Sequence, residues 1–337
     1  MEKKYNTKKV LFLLMIIPYL LTSCSKEDIE KVDLTTDNFG VHVVGTNANG
    51  YYWKDGISKQ LTNSSIANSI FVSENDVYVA GVSFENTYRA TYWKNGIPHL
   101  LTDENTRSEA SSIFINDSNV YIAGFEYSSK NNIIMYWKND EPVVLTDGKN
   151  SASANSIFVQ GNDVYVAGQF TPNYVPFATY WKNGKSTFVS SVYSKAESIF
   201  VKDSDVYVAG FEKGPKGRYV AKYWKNGDGV SLTDGSKDAF ANSIFMYVND
   251  VYVAGIENDS TGKTIAKYWK NGKEVALTDG TNSAFARSIF VKDNIVYVSG
   301  SEYNSTGKTV AKYWKDGKAV ILSDGTKWAD ALSIYVY

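Results

Sequence analysis

Polar residues recur at one variable position of a repeated motif, where they could bind a ligand or catalyse a reaction. The motif Ala-x-Ser-Ile-Phe occurs seven times, with Tyr335 replacing Phe in the last copy. Residue x is, in order, Asn68, Ser111, Asn155, Glu197, Asn242, Arg287 and Leu332. Amide and guanidinium groups bind polar ligands through hydrogen bonds, whereas a carboxyl group such as that of Glu197 could also act as a general acid or base.

A second set of candidates is aromatic and lies between repeated motifs, in segments that differ from copy to copy. These segments carry Tyr127, Tyr174, Tyr219 and Tyr303, together with acidic residues. Aromatic side chains beside polar groups are typical of surfaces that bind other molecules. We therefore predict that these tyrosines bind a glycan or a protein together with Asn68, Asn155, Glu197, Asn242 and Arg287. The alternative interpretation is that all nine are solvated loop ends.

Other kinds of chemistry have little support in the sequence. His42 and His99 occupy unrelated positions in their repeats, and the chain has one Cys, so no zinc-ligand set is present. An Asp follows Leu-Thr or Leu-Ser in five copies, and it favours a turn that bonds backbone amides over a calcium site: Asp103, Asp147, Asp234, Asp279 and Asp324. Neither a nucleophile elbow nor a phosphate-binding loop occurs. We expect no metal and no cofactor. Binding is favoured over catalysis, and a carbohydrate-active hydrolase or lyase with carboxylates such as Glu197 in the central funnel is the alternative.

The repeat that must position these residues has a period of about 43 residues. Tyr-Trp-Lys recurs with its Trp at 53, 93, 137, 181, 224, 269 and 314. Val-Tyr-Val-Ala-Gly and its variants end in Gly at 81, 124, 168, 210, 255 and 300, and Val41 to Gly45 is a related segment. Each copy therefore contains four short β-branched and aromatic segments, named A (Ser-Ile-Phe-Val), B (Val-Tyr-Val-Ala-Gly), C (Tyr-Trp-Lys) and D (ending in Leu-Thr).

Turn signals join these segments into antiparallel sheets. Asn-Gly or Asp-Gly follows Tyr-Trp-Lys in six copies, which predicts a tight type I′ hairpin between C and D. The third copy has Asn139-Asp140 instead. Four antiparallel strands in each of seven copies predict an all-β protein, a seven-bladed β-propeller over residues 40–337.

The two ends of the repeat array predict that the propeller is closed. The array begins with a B segment at Val41 and ends with an A segment, Ser333 to Tyr337. An apolar strand at the end of the chain needs a partner, and the first B segment has no A segment before it. We predict that the C-terminal strand pairs with the N-terminal blade.

The repeat unit resembles the HAF-type extracellular repeat of propeller-like secreted proteins. The resemblance covers residues 41–337 at the level of pattern, with Tyr-Trp-Lys in place of that family's Phe-Leu-Trp. It implies a secreted propeller and carries over no catalytic residues.

The N-terminus resembles a bacterial lipoprotein signal. Four lysines precede a mostly apolar segment, Val10 to Leu21, and Leu21-Thr22-Ser23-Cys24 follows. We predict a signal peptide over residues 1–23, and a lipidated Cys24 (palmitate included) with a flexible acidic tether over residues 24–39. Ser25-Lys26-Glu27-Asp28 is similar to the export signal of Bacteroidetes-type surface lipoproteins. The resemblance implies a lipid anchor in the outer membrane, with the protein exposed at the cell surface; an anchor facing the periplasm is the alternative.

Charge excludes one class of partner. After residues 1–23 are removed, 31 Lys and Arg stand against 35 Asp and Glu, a net charge of −4. Binding to a nucleic-acid backbone requires a concentrated basic surface. We expect a monomer that contacts the membrane through its anchor and a glycan or protein through its loops.

Overall fold

The computed structural model describes residues 40–62 and 65–337, which form seven four-stranded antiparallel sheets. Each sheet is one blade, and its strands lie side by side in the order A, B, C, D. The predictions for the signal peptide, Cys24 and the tether concern residues outside the described ranges. The seven-bladed, all-β fold class is confirmed.

The strands carry the same repeated segments in every blade. Strands A are β28 (Ala329–Val336), β4 (Ser65–Ser73), β8 (Ser108–Asn116), β12 (Ser151–Gln160), β16 (Ser194–Lys202), β20 (Ala239–Tyr247) and β24 (Ala284–Lys292), in blades 1 to 7. Strands B are β1 (Val41–Asn47), β5 (Asp76–Phe84), β9 (Asn119–Tyr127), β13 (Asp163–Thr171), β17 (Asp205–Lys213), β21 (Asp250–Asn258) and β25 (Ile295–Tyr303). Strands C are β2 (Gly50–Lys54), β6 (Tyr88–Lys94), β10 (Asn132–Lys138), β14 (Phe177–Lys182), β18 (Tyr219–Lys225), β22 (Thr264–Lys270) and β26 (Thr309–Lys315). Strands D are β3 (Ile57–Gln60), β7 (Ile97–Leu100), β11 (Glu141–Val144), β15 (Lys185–Phe188), β19 (Asp228–Ser231), β23 (Lys273–Ala276) and β27 (Lys318–Ile321).

Helical structure is limited to one 3₁₀ turn, Pro172–Tyr174, within the described part of the chain. No helix there has the length and apolar character needed to cross a membrane.

The C–D hairpin has the predicted conformation in all seven blades. In blade 2, Asn95 and Gly96 have φ values of 52° and 82°, as a type I′ turn requires. Asn139 and Asp140 of blade 3 have the same left-handed conformation. The Asn95 side chain also accepts a hydrogen bond from the Val77 amide at 2.9 Å, which ties the turn to strand B.

Neighbouring blades are joined at the centre by a ring of serine–amide hydrogen bonds. In each strand A, the serine of Ala-x-Ser accepts a bond from the Ile amide of the next blade, as Ser69 Oγ does from Ile113 at 3.2 Å. The remaining bonds continue around the ring, and Ser333 accepts from Ile70 at 3.3 Å. The Ser-Ile pair therefore recurs in every repeat because the serine of each blade accepts a hydrogen bond from the isoleucine amide of the next.

The aromatic residue of the same motif forms a second closed ring. Neighbouring ring centroids lie 4.6 to 5.3 Å apart, which is the range of favourable aromatic contacts. The members are Phe71, Phe114, Phe158, Phe200, Phe245, Phe290 and Tyr335. All seven remain partly exposed, and each also packs against one of the hydrophobic clusters between blades.

The hydrophobic core consists of seven clusters, each between two neighbouring blades. The tryptophan of each strand C lies in one of these clusters and is at most 2% exposed. These tryptophans are therefore core residues.

Closure by the C-terminal strand is also confirmed. Strand β28 pairs antiparallel with β1, with Val336 opposite Val41 and Ile334 opposite Val43. The Tyr337 amide donates to the Gly40 carbonyl at 3.1 Å, and the Gly40 amide donates back to Tyr337. Blade 1 is thus built from both ends of the repeat array.

Candidate functional site

The loops before strand A and between strands B and C lie on one side of the propeller, because the four strands of a blade alternate in direction. We name this side the loop face. It carries the candidate residues, whereas the A–B and C–D turns lie on the opposite face. The Leu-Thr-Asp segments that lead to the loop face form the predicted Asx turns, as where Asp279 accepts a bond from the Thr281 amide at 2.8 Å. The same bond occurs at Asp103, Asp147, Asp234 and Asp324.

The variable residue of Ala-x-Ser is the extra residue of a β-bulge. The register shifts at this point in every blade, for example between Ala67 and Ser69. A bulge redirects a side chain out of the regular alternation. Residues Asn68, Asn155, Glu197, Asn242 and Arg287 are therefore all found at the mouth of the central ring, half-buried.

Most of these side chains bond to the next blade. The amide of Asn155 donates to the Ala196 carbonyl at 2.7 Å, and Asn242 donates to Ala286 at 2.8 Å. Asn68 bonds in the same way to Ala110 at 3.0 Å. These amide groups help to join blades, so only part of their hydrogen-bonding capacity is directed to the mouth.

The charged mouth residues form pairs. Lys195 Nζ lies 2.9 Å from Glu197, and Arg287 contacts Asp330 at 2.8 Å. Burial raises the pKa of the Glu197 carboxyl even though Lys195 and Arg287 oppose this effect. A carboxyl group with a raised pKa can retain a proton and donate it, which is the property of a general acid.

The four predicted tyrosines lie in four different blades. Tyr174 is 98% exposed in the 3₁₀ turn of blade 4. Tyr219 packs against Phe211 and Phe240 in blades 5 and 6, and Tyr303 contacts Trp328. These three do not form a common surface.

Tyr127 lies in an exposed aromatic cleft that the sequence analysis did not identify. Two adjoining depressions of about 270 and 210 Å³ share Ile66, Val82 and Tyr88. We define the aromatic cleft by the residues that line them on blades 2 and 3: Ile66, Val82, Phe84, Tyr88, Arg107 and Tyr127. Phe84, Tyr88 and Tyr127 are 44%, 43% and 40% exposed, respectively.

Arg107 joins the aromatic residues of two blades. Its guanidinium carbon lies 4.2 Å from the Tyr127 ring centroid and 5.2 Å from that of Tyr88, which is within cation–π distance. Phe84 extends this aromatic group, with its ring centroid 5.1 Å from that of Tyr88.

The cleft continues into the mouth through Glu109. This residue lines the smaller depression, and its carboxylate accepts a bond from Asn68 at 3.3 Å. Burial is the largest effect on Glu109 and raises the pKa of its carboxyl. The only sequence signal for this cleft was a cluster of aromatic residues in the B–C segments of two consecutive repeats.

A further depression of about 460 Å³ lies between the loops of blades 5 and 6. Its polar groups bond largely to one another, since Asp238 pairs with Arg218 at 3.0 Å and Asp259 binds Thr261 at 2.7 Å. Groups of three or more potential metal ligands do not occur in residues 40–62 and 65–337.

Comparison with known proteins gives the fold only. No protein-family model matches the chain, and no curated protein matches it in sequence. Among solved structures it is similar to a puromycin-hydrolysing peptidase of Mycobacterium tuberculosis, with a TM-score of 0.56 and 9% identity over 89% of this chain. It is also similar to a puromycin hydrolase variant solved in complex with PGG, with a TM-score of 0.59 and 8% identity over 87% of this chain. The match spans 56% and 54% of those two chains.

Proposed function

We propose that this protein is a binding module that holds a glycan or protein on its loop face. The observation that carries the proposal is the aromatic cleft, in which three large aromatic side chains stay about two-fifths exposed side by side. Leaving such groups in water is unfavourable, and contiguous exposed apolar patches mark interaction sites in soluble proteins. The rigid blades hold the cleft in place, so a ligand finds the surface already formed.

The proposal extends to the location of the protein. A lipid on Cys24 would anchor the chain as a monomer to the outer membrane, with the propeller exposed at the cell surface. The support is the sequence of residues 1–28 and the resemblance of the unit to HAF-type extracellular repeats. Incorporation of a palmitate analogue that is lost in Cys24→Ser, together with cleavage of the propeller by protease added to whole cells, tests both parts.

A hydrolase or lyase is the second candidate function. The raised pKa of Glu197 favours it, and the two solved neighbours named above are hydrolytic proteins. Glu197, which pairs with Lys195, would supply proton transfer at the mouth. Conversion of a bound ligand that is lost in Glu197→Gln, while binding is retained, would favour catalysis over binding.

Glycan and protein arrays probed with the purified full-length chain test the main proposal. We expect binding without turnover, and we expect Tyr88→Ala and Tyr127→Ala to weaken it. Ile321→Ala is the matched control, because Ile321 is an exposed apolar residue of an outermost strand in blade 7. Binding that all three variants leave unchanged would show that the aromatic cleft is not the binding site.

A further inference from the structure

Arg107 differs from every other arginine of the chain in its charge environment. The chain has four arginines, and all of them are described. Arg89 lies 3.8 Å from Glu85, Arg218 lies 3.0 Å from Asp238, and Arg287 lies 2.8 Å from Asp330. Arg107 makes no ion pair within the described ranges; its guanidinium lies against the rings of Tyr88 and Tyr127, and its charge acts on Glu109 without a direct contact.

This arrangement leaves the charge of Arg107 available to a ligand. Stacking on aromatic rings restricts the guanidinium plane, so less conformational freedom is lost when the group binds an anion. The N–H groups at the edge of the plane match the two oxygens of a carboxylate. Glu109 is the acid of the cleft; its carboxylate accepts a hydrogen bond from Asn68 at 3.3 Å, and burial raises its pKa while the charge of Arg107 acts to lower it. The side chains of Glu109 and Arg107 do not form an ion pair, so the guanidinium edge can still bind the carboxylate of a ligand.

The remaining surface of the cleft favours a sugar over a peptide. Phe84, Tyr88 and Tyr127 offer exposed ring surface, on which the apolar face of a pyranose can pack. The strands that carry these residues are inner strands and are not open to strand addition by a peptide: β5 lies between β4 and β6, β6 between β5 and β7, and β9 between β8 and β10. A peptide would therefore have to bind through side chains alone.

We propose that the aromatic cleft binds a carboxylated sugar of an acidic polysaccharide, with Arg107 binding the carboxylate and the aromatic residues packing against the pyranose ring. This inference rests on the proposed function and names its ligand class.

The test compares two forms of one ligand, tetragalacturonate and its methyl ester, by calorimetry with the full-length chain. A hyaluronan oligosaccharide supplies glucuronate as a second probe. We expect at least about tenfold weaker binding of the ester, and an equal loss for the acid in Arg107→Ala. The acid and the ester should bind Arg107→Ala alike, whereas Tyr88→Ala should weaken both.

Lys138→Ala is the matched control for charge. Lys138 belongs to the same blade and lies 5.4 Å from the Tyr121 ring centroid, but at the C–D turn of the opposite face. Its removal should leave the affinity unchanged. Arg107→Lys should recover only part of the lost affinity, because an ammonium group lacks the two-point geometry.

Each contrary result has a distinct meaning. Equal affinity for acid and ester overturns the role of Arg107 but leaves a glycan-binding cleft. Tighter, Arg107-dependent binding of hexaglutamate overturns the choice of a sugar. If neither uronate probe binds but the glycan and protein arrays identify another ligand, only this inference is overturned. If the arrays identify no ligand either, the proposed function fails as well.

Discussion

Replacing Gly210 by alanine tests why strand B has a glycine at the same position in every blade. A Cβ at Gly210 would lie 1.9 Å from the Lys195 carbonyl oxygen, which belongs to the strand A bulge. The same approach occurs at Gly45, Gly81, Gly124, Gly168, Gly255 and Gly300, at 1.8 to 2.1 Å. To reach the 3.0 Å limit of real Cβ contacts, the carbonyl would have to move by about 1 Å within a bonded ladder. Overpacking of this kind costs about 1–3 kcal/mol, and we expect about 3 kcal/mol because a backbone atom must shift.

The control is Gly229→Ala in strand D of the same blade. The nearest atoms to its new Cβ would all belong to side chains, the Trp224 ring at 3.2 Å and Lys222 Nζ at 3.6 Å. Alanine also restricts the unfolded chain more than glycine does, which partly offsets the contact. We expect its free energy of unfolding to stay within about 1 kcal/mol of wild type. In thermal unfolding followed by circular dichroism, Gly210→Ala should melt about 5 °C lower than wild type. If the melting temperature of Gly210→Ala equals that of wild type, or exceeds that of Gly229→Ala, the close approach to the carbonyl oxygen is not the reason for the glycine.

Two further predictions concern closure and pH. Deletion of residues 333–337 removes the packing of Ile334, Tyr335 and Val336 and opens both central rings, at a cost of about 5–8 kcal/mol. We expect aggregated or unfolded protein, and a soluble truncation with normal melting would refute closure as a source of stability. Because burial raises the pKa of Glu197 in the folded chain, the folded state binds its proton more tightly, and stability is lost as pH rises from the ordinary glutamate pKa through the raised one. The melting temperature of Glu197→Gln relative to wild type should therefore rise between about pH 4 and pH 8; a constant difference would contradict this sign.

The blade pattern could be predicted because local chemistry determines it. Asn95-Gly96 specifies its own turn, and the β-branched and aromatic residues before it favour a strand, in which Ala90 to Trp93 are all buried. Closure could be predicted because an unpaired A segment and an unpaired B segment stand at the two ends of the array. Asn139-Asp140 shows the limit of the turn signal, since two left-handed residues form the same hairpin without glycine.

The aromatic cleft could not be predicted in the same way. Tyr88 belongs to blade 2, whereas Arg107 and Tyr127 belong to blade 3. Their contacts depend on how two blades pack, and no spacing within one repeat encodes that distance. Phe211, Tyr219 and Phe240 are also aromatic residues near loops, yet they pack against one another, so composition alone does not separate a ligand surface from a local cluster.

Variation between repeats is therefore an incomplete guide to function in this propeller. Asn68, Asn155 and Asn242 are variable residues, but each donates to a carbonyl of the next blade. Arg287 is variable as well, and Asp330 neutralises it. A variable residue becomes a strong candidate when the neighbouring blade leaves its polar groups unused, and this condition distinguishes Arg107 from Arg287. The experiment that compares an acid with its ester measures that difference directly, because Arg287 is held by Asp330, whereas Arg107 makes no ion pair within the described ranges and can bind the carboxylate that the ester lacks.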